Sequence, residues 1–255
     1  MNLEIYSFSE VTSTNDYARE LLNQHNLVLV SALYQNSGRG RKGNDWFGSY
    51  GKNIYLSIGI NHKNPQASNH LATIQAMSAL IVQKSLNATT RTNNFIIKYP
   101  NDIYAKDGED YKKIAGILIE HNFLGLLCVN SIIGIGINVF EDNFPQYLIH
   151  NSTSLKMLNL VDTKNSSLKS ENALQTLQNS IIENFNFYYD LFINENVSLI
   201  FNEWKNELKM IGKDVMILES GKTAKILEIL EDSRLRATLL ENNSEIIIDN
   251  GNSIR

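Results

Sequence analysis

The fold is decided by residues 95–139, FIIKYPNDIYAKDGEDYKKIAGILIEHNFLGLLCVNSIIGIGINV. Short apolar runs rich in isoleucine alternate there with turn residues, a pattern typical of consecutive β-strands. The DGED sequence at 107–110 predicts a hairpin turn, and the HNFLG sequence at 121–125 predicts another. Because the strands come in runs instead of alternating singly with helices, we predict an α+β fold with a mixed β-sheet, not a doubly wound parallel sheet.

The other segments before residue 210 supply flanking elements. Ser13 stands directly before an apolar stripe with helical spacing, so we predict it as the N-cap residue of the first helix, with Asp16 near the positive helix terminus. Strands are predicted at residues 3–8, 26–35 and 53–60, and helices at residues 13–24, 67–86, 167–193 and 198–209. These helices are expected to cover the sheet.

The sequence pattern changes after residue 210. Four short strand patterns follow in quick succession at residues 213–219, 222–232, 234–242 and 244–250, with turn residues between them. Such closely spaced strands are typical of a small β-barrel or curled sheet. We therefore predict two domains, a larger one at residues 1–209 and a small β domain at residues 210–255.

The composition limits the class of protein. Of the 255 residues 43% are hydrophobic, and the formal net charge is −4, so no overall positive field attracts nucleic acid or an anionic membrane. Cys128 is the only cysteine, which excludes internal disulfides and cysteine-rich zinc sites. No stretch has the pattern of a secretion signal, and none is apolar for the roughly 18 residues of a membrane span. We expect a cytoplasmic protein that binds neither nucleic acid nor membrane.

One positive segment departs from this balance, SGRGRKGNDWFGSYGKNIYLS at residues 37–57. Gly38, Gly40 and Gly43 satisfy the letters of the dinucleotide-binding pattern GxGxxG. However, no helix start follows them, and no acidic residue lies about 20 positions later, as that pattern requires. A Walker loop is excluded by its spacing. Binding of single-stranded nucleic acid is disfavoured because the rest of the composition is not basic.

The residue types in this loop suit a small anionic ligand better. Arg39 and Arg41 alternate with glycines, so their guanidinium groups can fold over a phosphate. Trp46 and Tyr55 can provide flat apolar walls for an organic group. A solvated surface loop is the ordinary alternative, but three further segments point to the same kind of site.

These three segments place polar groups or glycines beside apolar patterns. Residues 13–15 (STN) put two hydroxyls and an amide at a helix N-terminus, where free N–H groups point outward. Residues 98–102 (KYPND) place an amide and a carboxylate after a proline, and residues 113–116 (KIAG) begin a strand with a lysine suited to a carboxylate or phosphate. Residues 134–138 (GIGIN) open one strand face to a flat ligand.

Taken together and in this order, the motifs resemble those of biotin protein ligases. The resemblance covers about residues 1–205. It is carried by STN (13–15), GRGRKGNDWF (38–47), GKNIYLS (51–57), KYPND (98–102), KIAGILIE (113–120) and GIGIN (134–138).

The resemblance implies a fold and an activity. The fold would be a catalytic domain like that of class II aminoacyl-tRNA synthetases and biotin ligases, followed by an SH3-like β-barrel. The activity would be that of a biotin–[acetyl-CoA-carboxylase] ligase: ATP and biotin form biotinyl-5′-AMP with release of pyrophosphate, and biotin then passes to one lysine of a biotin carboxyl carrier domain. Mg²⁺ would accompany ATP, and the protein would be a monomer or homodimer.

The resemblance also implies roles for individual residues. Biotin would be bound by Ser13, Thr14, Asn15, Gln35, Gly38, Arg39, Arg41, Trp46, Tyr55, Lys113, Gly116, Leu118 and Gly136. ATP and the adenylate would be bound by Arg39, Arg41, Trp46, Asn101, Lys113 and Asn138. The catalytic residues would be Lys113, Arg39 and Arg41, with Asp102 orienting and deprotonating the acceptor lysine. No residue is assigned as a protein ligand of a metal ion.

Three departures from the family pattern stand out: residue 99, a longer hairpin (KDGEDYKK, 106–113) before the active lysine, and the short segment before the STN motif. Tyr99 replaces the tryptophan that usually precedes Pro-Asn-Asp, which affects the details of adenine or wall packing. Either Lys112 or Lys113 could be the active lysine, and the register with Ile-Ala-Gly selects Lys113. Family members that repress transcription carry about 60 residues of helix-turn-helix domain before the catalytic part. Because the STN motif begins at Ser13, we expect a ligase without DNA binding.

Two alternatives remain open at the level of the sequence. A lipoate or octanoyl ligase on the same scaffold would share the adenylation chemistry and the lysine, but it lacks the Gly-Arg-Gly-Arg loop in this form. A biotin or nucleotide sensor without turnover would keep the pocket and lose Lys113 or the arginines, all of which are present.

Overall fold

The computed structural model describes residues 2–66, 68–161, 167–249 and 254. Its centre is a seven-stranded sheet in the order β1-β2-β3-β7-β6-β5-β4. β1 and β2 are parallel and the other neighbours are antiparallel, so the predicted mixed sheet is confirmed. The strands are β1 (Glu4–Phe8), β2 (Leu27–Ala32), β3 (Ile54–Gln66), β4 (Phe95–Lys98), β5 (Asp102–Asp107), β6 (Asp110–Leu124) and β7 (Leu127–Ile137).

Helices cover both faces of this sheet, as predicted. They are α1 (Thr14–Leu21), α2 (Ser68–Thr90), α3 (Ser167–Ile193) and α4 (Val197–Leu208). On one face, Ala18 and Leu22 pack against Val28, Val30 and Ile132. On the other face, α2, α3 and α4 contribute to the main hydrophobic core. Within the described ranges, no helix has the continuous apolar length that a bilayer span requires.

The hairpin between β6 and β7 differs from the sequence prediction. Residues 121–124 belong to β6, and the turn consists of Gly125 and Leu126. Gly125 has φ +63°, a left-handed conformation that glycine adopts without steric cost, so the chain can reverse within two residues. The chain beyond the turn, Leu127–Ile137, is the single strand β7.

The four strands predicted after residue 210 are present and form a separate antiparallel sheet in the order β11-β10-β9-β8. They are β8 (Asp214–Met216), β9 (Thr223–Ile229), β10 (Leu235–Leu239) and β11 (Glu245–Ile248). This small sheet is consistent with an SH3-like domain. Its buried face, which includes Ala224, Ile226 and Ala237, joins the main core. The boundary between residues 209 and 210 stays a prediction.

The register of the central strands creates a shallow region on the face that α1 covers. Gly136 of β7 pairs with Tyr55 of β3 on one side and with Gly116 of β6 on the other. Two residues earlier in β7, Gly134 pairs with Ser57 of β3 and with Leu118 of β6. Because successive side chains point to opposite faces, these glycines lie together and leave the main chain accessible from that face.

A polar cluster crosses the same strands farther along the sheet. Ser131 Oγ lies 2.8 Å from both His62 Nε2 and His121 Nδ1. Burial lowers the pKa of His62 to about 4, and the nearby His121 adds to this shift. Burial also lowers the pKa of His121. Both imidazoles are therefore neutral in the folded protein at neutral pH, where they can bond to the serine hydroxyl.

The depressed pKa of His62 predicts a loss of stability in mild acid. Below its ordinary value of 6.5 the unfolded chain binds a proton that the folded chain excludes, so stability falls as the pH drops from 6.5 to about 4. A difference of this size corresponds to up to about 3 kcal/mol. His62→Gln keeps a hydrogen-bonding group and removes the titration, so it should flatten this dependence in urea unfolding measured across the pH range. An unchanged slope in this variant would assign the acid sensitivity to another group.

Candidate active site

A cavity of about 600 Å³ lies over the exposed glycines of β6 and β7. Its walls come from the start of α1, the basic loop at residues 37–47, strands β6 and β7, and the segment at residues 144–152. The residues that were predicted from sequence and that line it are Ser13, Thr14, Asn15, Gln35, Arg39, Arg41, Trp46, Asp102, Lys113, Gly116, Leu118, Gly136 and Asn138. The fold therefore brings most of the dispersed motifs into one cavity.

Three predicted residues do not line the cavity. The carbonyl oxygen of Gly38 accepts a hydrogen bond from the backbone N–H of Trp46 at 2.8 Å, so Gly38 stabilises the conformation of the basic loop. Asn101 is 3% exposed, and its Nδ2 donates to the carbonyl of Ile117 at 3.1 Å. Tyr55 is also 3% exposed and does not form the predicted wall. Its hydroxyl lies beneath the backbone at Gly48, and burial raises its pKa to about 12.

One end of the cavity is built from buried hydroxyl and amide groups. The Oε1 atom of Gln35 accepts the backbone N–H of Thr14 at 2.8 Å and lies 3.0 Å from the Thr14 hydroxyl. Ser57 Oγ lies 2.7 Å from Thr14 Oγ1 and 2.6 Å from Asn15 Oδ1. Because the carbonyl of Gln35 is occupied, its amide nitrogen is left as a donor. The Thr14 hydroxyl donates to Gln35 and its oxygen also faces Ser57 Oγ, which leaves one lone pair of that oxygen for a ligand.

Two further residues complete this polar end. Asn15 Nδ2 donates to Glu120 Oε2 at 2.7 Å, which fixes the orientation of the Asn15 amide because a carboxylate only accepts. Ser13 occupies the N-cap position, as predicted, but its side chain makes no capping hydrogen bond. This part of the cavity therefore presents both donors and acceptors.

Trp46 lies against the glycine floor. A Cβ atom added at Gly116 would lie 2.5 Å from Trp46 Cζ3, and one added at Gly136 would lie 2.6 Å from Trp46 Nε1. Only glycine permits so close an approach of the indole to the strands. Trp46 Nε1 is buried without a hydrogen-bond partner in the described part of the chain, an unusual state for a polar group. Gly116 and Gly136 are thus required by the position of this ring.

A cation and a carboxylate stand beside the indole. Lys113 Nζ lies 2.8 Å from Asp102 Oδ1 and 5.7 Å from the centre of the Trp46 ring. Main-chain hydrogen bonds from Lys113 N to the Asn151 carbonyl, and from Thr153 N to the Lys113 carbonyl, hold the lysine backbone in place. Lys112 instead forms an ion pair with Asp107 at 2.8 Å. The structure therefore places Lys113, and not Lys112, at the cavity.

The basic loop is closed by its own arginines. Two nitrogens of Arg39 donate to the two carboxylate oxygens of Asp16 at 2.8 and 2.6 Å. This hydrogen-bonded pairing is the main cause of the lowered pKa of Asp16. On the other side, Arg41 Nη1 donates to Asn101 Oδ1 at 2.5 Å. The sequence predicts arginines that fold over a phosphate once one is present, whereas here the protein itself already engages both of them.

The network around Arg39 extends beyond Asp16. Arg19 lies 2.9 Å from Asp16 and 3.1 Å from Glu120, and Arg39 lies 3.9 Å from Glu120. Two cations and two carboxylates thus connect the loop, α1 and β6 at the rim of the cavity. Asn138 has a supporting role at the opposite rim, where its Nδ2 donates to the Thr153 carbonyl at 3.1 Å.

A sequence model of the biotin/lipoate A/B protein ligase family matches residues 7–138, more than half of the chain. The chain belongs to this family. The matched range includes every site residue that the sequence predicts, from Ser13 to Asn138.

Relatives and solved structures of this ligase family agree with the assignment. The bifunctional ligase/repressor BirA of Salmonella typhimurium is 26% identical over 215 residues, covering 83% of this chain and 62% of that protein. The biotin–protein ligase of Schizosaccharomyces pombe is 28% identical over 233 residues, covering 85% of this chain and 35% of that protein. The chain thus spans less than two thirds of the length of either relative.

The fold prediction is confirmed by a solved structure. The biotin protein ligase from Aquifex aeolicus, in complex with biotin and ATP, superimposes with a TM-score of 0.71 at 23% identity. The match covers 99% of this chain and 97% of that one, so it includes the small C-terminal sheet.

Several lining residues of this ligase-family cavity were missed at the level of the sequence. Phe47, Phe144, Tyr147, Leu148 and Ser152 form a mainly apolar side of the cavity. The rings of Phe47 and Phe144 lie 6.4 Å apart. For Phe144, Tyr147 and Leu148 the sequence offers only the apolar FPQYL segment at residues 144–148, which has no regular periodicity. Phe47 ends the GRGRKGNDWF motif, but no role was predicted for it. Glu120 ends the KIAGILIE motif, but the sequence predicts no role for it.

The pairing of Arg39 with Asp16 predicts how the basic loop responds to loss of the Asp16 carboxylate. Asp16→Asn keeps the shape of the side chain and removes its charge, so the loop should open more often. Because the pair is partly exposed, we expect trypsin to cleave after Arg39 and Arg41 about two- to fivefold faster. The measurement is a time course of native-state cleavage followed by mass spectrometry of the fragments.

The control is Asp214→Asn, which removes only a 3.9 Å ion pair with Lys225 in the small sheet. Equal cleavage rates in both variants would show that Asp16 does not hold the loop.

Proposed function

We propose that the chain is an ATP-dependent biotin protein ligase. It forms biotinyl-5′-AMP from biotin and ATP with release of pyrophosphate, and then transfers biotin to a lysine of a cytoplasmic biotin carboxyl carrier domain. The observation that carries this proposal is that the polar end, Lys113 and Arg41 all line one cavity.

The polar end favours biotin over lipoate. A cyclic urea presents one carbonyl acceptor and two N–H donors, which complement the donor of Gln35 and the remaining lone pair of Thr14 described above. The dithiolane ring of lipoate has no strong hydrogen-bonding group. Its binding would leave the Gln35 amide nitrogen without an acceptor, at a cost of about 1–3 kcal/mol. The family includes both kinds of ligase, and this cavity is suited to the urea.

The cationic side suits the adenylation step. A biotin carboxylate oxygen attacks the α-phosphorus of ATP, the bond to the bridging oxygen breaks, and pyrophosphate leaves with the electron pair. Two anions must approach each other in this step, so a fixed positive charge lowers its barrier. Lys113 provides that charge beside the floor, and Arg41 provides a second one from the loop. Arg39 acts instead through Asp16, by holding the loop closed.

The apolar side is suited to the nucleotide base. Phe47, Phe144 and Tyr147 offer flat surfaces on which a purine can pack. We assign the base to this side because the polar end and the floor are occupied by the biotin head group in this proposal. Trp46 lies between the two regions and separates them.

The second step needs a neutral acceptor amine. The amine nitrogen attacks the biotinyl carbonyl carbon, the bond to the phosphate oxygen breaks, AMP leaves, and the nitrogen loses its proton. A lysine amine at its ordinary pKa is mostly protonated at neutral pH. Asp102, at the cavity and held by Lys113, is the carboxylate positioned to orient the amine and take that proton.

The closed loop would protect the intermediate between these steps. A mixed anhydride of a carboxylic acid and a phosphate hydrolyses in water, so a covered cavity preserves it until the acceptor arrives. The contacts of Arg39 and Arg41 on opposite sides of the loop provide such a cover.

Magnesium would enter with the nucleotide. Among the residues that the structure describes, no three His, Cys, Asp or Glu side chains come together in a way that could hold a metal ion. Mg²⁺ commonly keeps several waters and binds through substrate phosphates, and it supplies charge neutralisation there.

The proposal is tested by supplying ATP with either biotin or lipoate and measuring pyrophosphate release. A carrier domain is then added, and its mass is measured. We expect pyrophosphate and a mass increase with biotin alone. Turnover with lipoate alone would assign the chain to the other branch of the family. Biotin binding without pyrophosphate release would identify it as a sensor.

Lys113→Ala should nearly abolish pyrophosphate release because it removes the fixed charge beside the reacting anions. We expect a loss of about 100-fold or more in kcat. Lys112→Ala is the matched control, since that neighbouring lysine pairs with Asp107 away from the cavity. Normal activity in Lys113→Ala would remove Lys113 from the reaction.

A further inference from the structure

Four consecutive residues at the edge of the active site contact four different parts of the molecule. Residues 99–101 form the turn after β4, and Asp102 is the first residue of β5. The Pro100 carbonyl accepts the indole N–H of Trp204, on α4, at 3.1 Å. Asp102 pairs with Lys113 on β6. The turn and Asp102 therefore join a core helix to the lysine of the site.

The last residue of this turn holds the basic loop. Asn101 accepts a hydrogen bond from Arg41 and donates one to the Ile117 carbonyl on β6. Since Asn101 is 3% exposed and does not line the cavity, its contribution to the site is to position Arg41. The place of Asn101 depends in turn on the residues before it.

Tyr99 begins the turn and contacts the small C-terminal sheet. Its hydroxyl donates to the Ser233 carbonyl at 2.5 Å, and its ring centre lies 6.2 Å from that of Trp204. Tyr99 is 8% exposed and does not line the cavity. The sequence suggested that the exchange of tryptophan for tyrosine at this position changes the packing against the ligand. The structure contradicts this, because Tyr99 does not reach the cavity. The tyrosine places a hydroxyl donor toward the neighbouring sheet.

Ser233 is itself firmly held. It lies in the turn between β9 and β10 with φ +67°, and its N–H donates to the Leu230 carbonyl at 2.9 Å. Its hydroxyl accepts a hydrogen bond from Gln75 Nε2, on α2, at 3.2 Å. The carbonyl that Tyr99 meets is thus fixed by the small sheet and by a core helix.

We propose that Tyr99 is a positioning residue through which the C-terminal sheet sets the geometry of Asn101 and Asp102, and so of Arg41 and Lys113. The proposal rests on the proposed ligase function. Burial raises the pKa of Tyr99 well above its ordinary value, so the hydroxyl remains a donor. A small displacement of reacting groups costs much of the rate, while binding at the distant polar end is unaffected.

The test variant is Tyr99→Phe, and the matched control is Tyr188→Phe. Tyr188 is also buried, and its hydroxyl donates to Glu203 at 2.9 Å within the helical core. In pyrophosphate release, we expect kcat of Tyr99→Phe to fall about five- to tenfold, the effect of losing one buried hydrogen bond, with KM for biotin almost unchanged. Tyr188→Phe should retain the wild-type kcat. Equal kcat values in both variants, or a change confined to KM, would overturn the proposal.

The path through Ser233 has its own test. Gln75→Ala removes the contact that holds Ser233 from α2, so it should lower kcat by a smaller factor. The double variant with Tyr99→Phe should fall no further than Tyr99→Phe alone, because both changes act through one contact. Fully additive losses would show that Gln75 acts elsewhere and would overturn this path.

Trypsin cleavage of the loop separates this proposal from the ligase function. If the wild-type protein releases no pyrophosphate with biotin, the proposed function fails, whatever the variants do. Without any substrate, Tyr99→Phe should still speed cleavage after Arg41, because Asn101 holds that arginine less firmly. The same cleavage rate in Tyr99→Phe and Tyr188→Phe would overturn the positioning role alone.

Discussion

The site depends on the close approach of an aromatic ring to bare main chain. Gly116 of β6 is paired with Gly136 of β7. Because glycine has no side chain, the indole of Trp46 can pack directly against the two strands. This contact brings the end of the basic loop down onto the sheet, and the rest of the loop then spans the cavity. The glycines thus determine both the depth of the cavity and the position of its cover.

The charged groups of the site form two sets, one that holds the basic loop at the rim and one inside the cavity. Arg39 is neutralised by Asp16 at the rim, whereas Lys113 shares a carboxylate within the cavity. A loop with two arginines appears from its sequence to carry two equivalent phosphate ligands. Both arginines are instead held by the protein, Arg39 by Asp16 at the rim and Arg41 by Asn101 on the other side of the loop.

Much of this architecture was predictable because strand patterns and motifs are local. The mixed sheet and the small second sheet follow from runs of apolar residues, and the selection of Lys113 over Lys112 follows from its place directly before Ile-Ala-Gly in the family motif. The burial of Tyr55 and the pairing of Arg39 with Asp16 were not predictable, because both depend on residues that meet only in the folded chain. The FPQYL segment was missed because it has no periodicity and takes its place from the surrounding walls.

The four charges that hold the loop are partly exposed, whereas Thr14, Asn15 and Ser57 of the polar end are buried. Dissolved salt screens exposed charges strongly and buried hydrogen bonds little. Raising the ionic strength should therefore loosen the cover while leaving the recognition of the head group intact. For the proposed ligase, concentrated salt should then leave the choice of biotin unchanged and increase the loss of biotinyl-5′-AMP to the solvent.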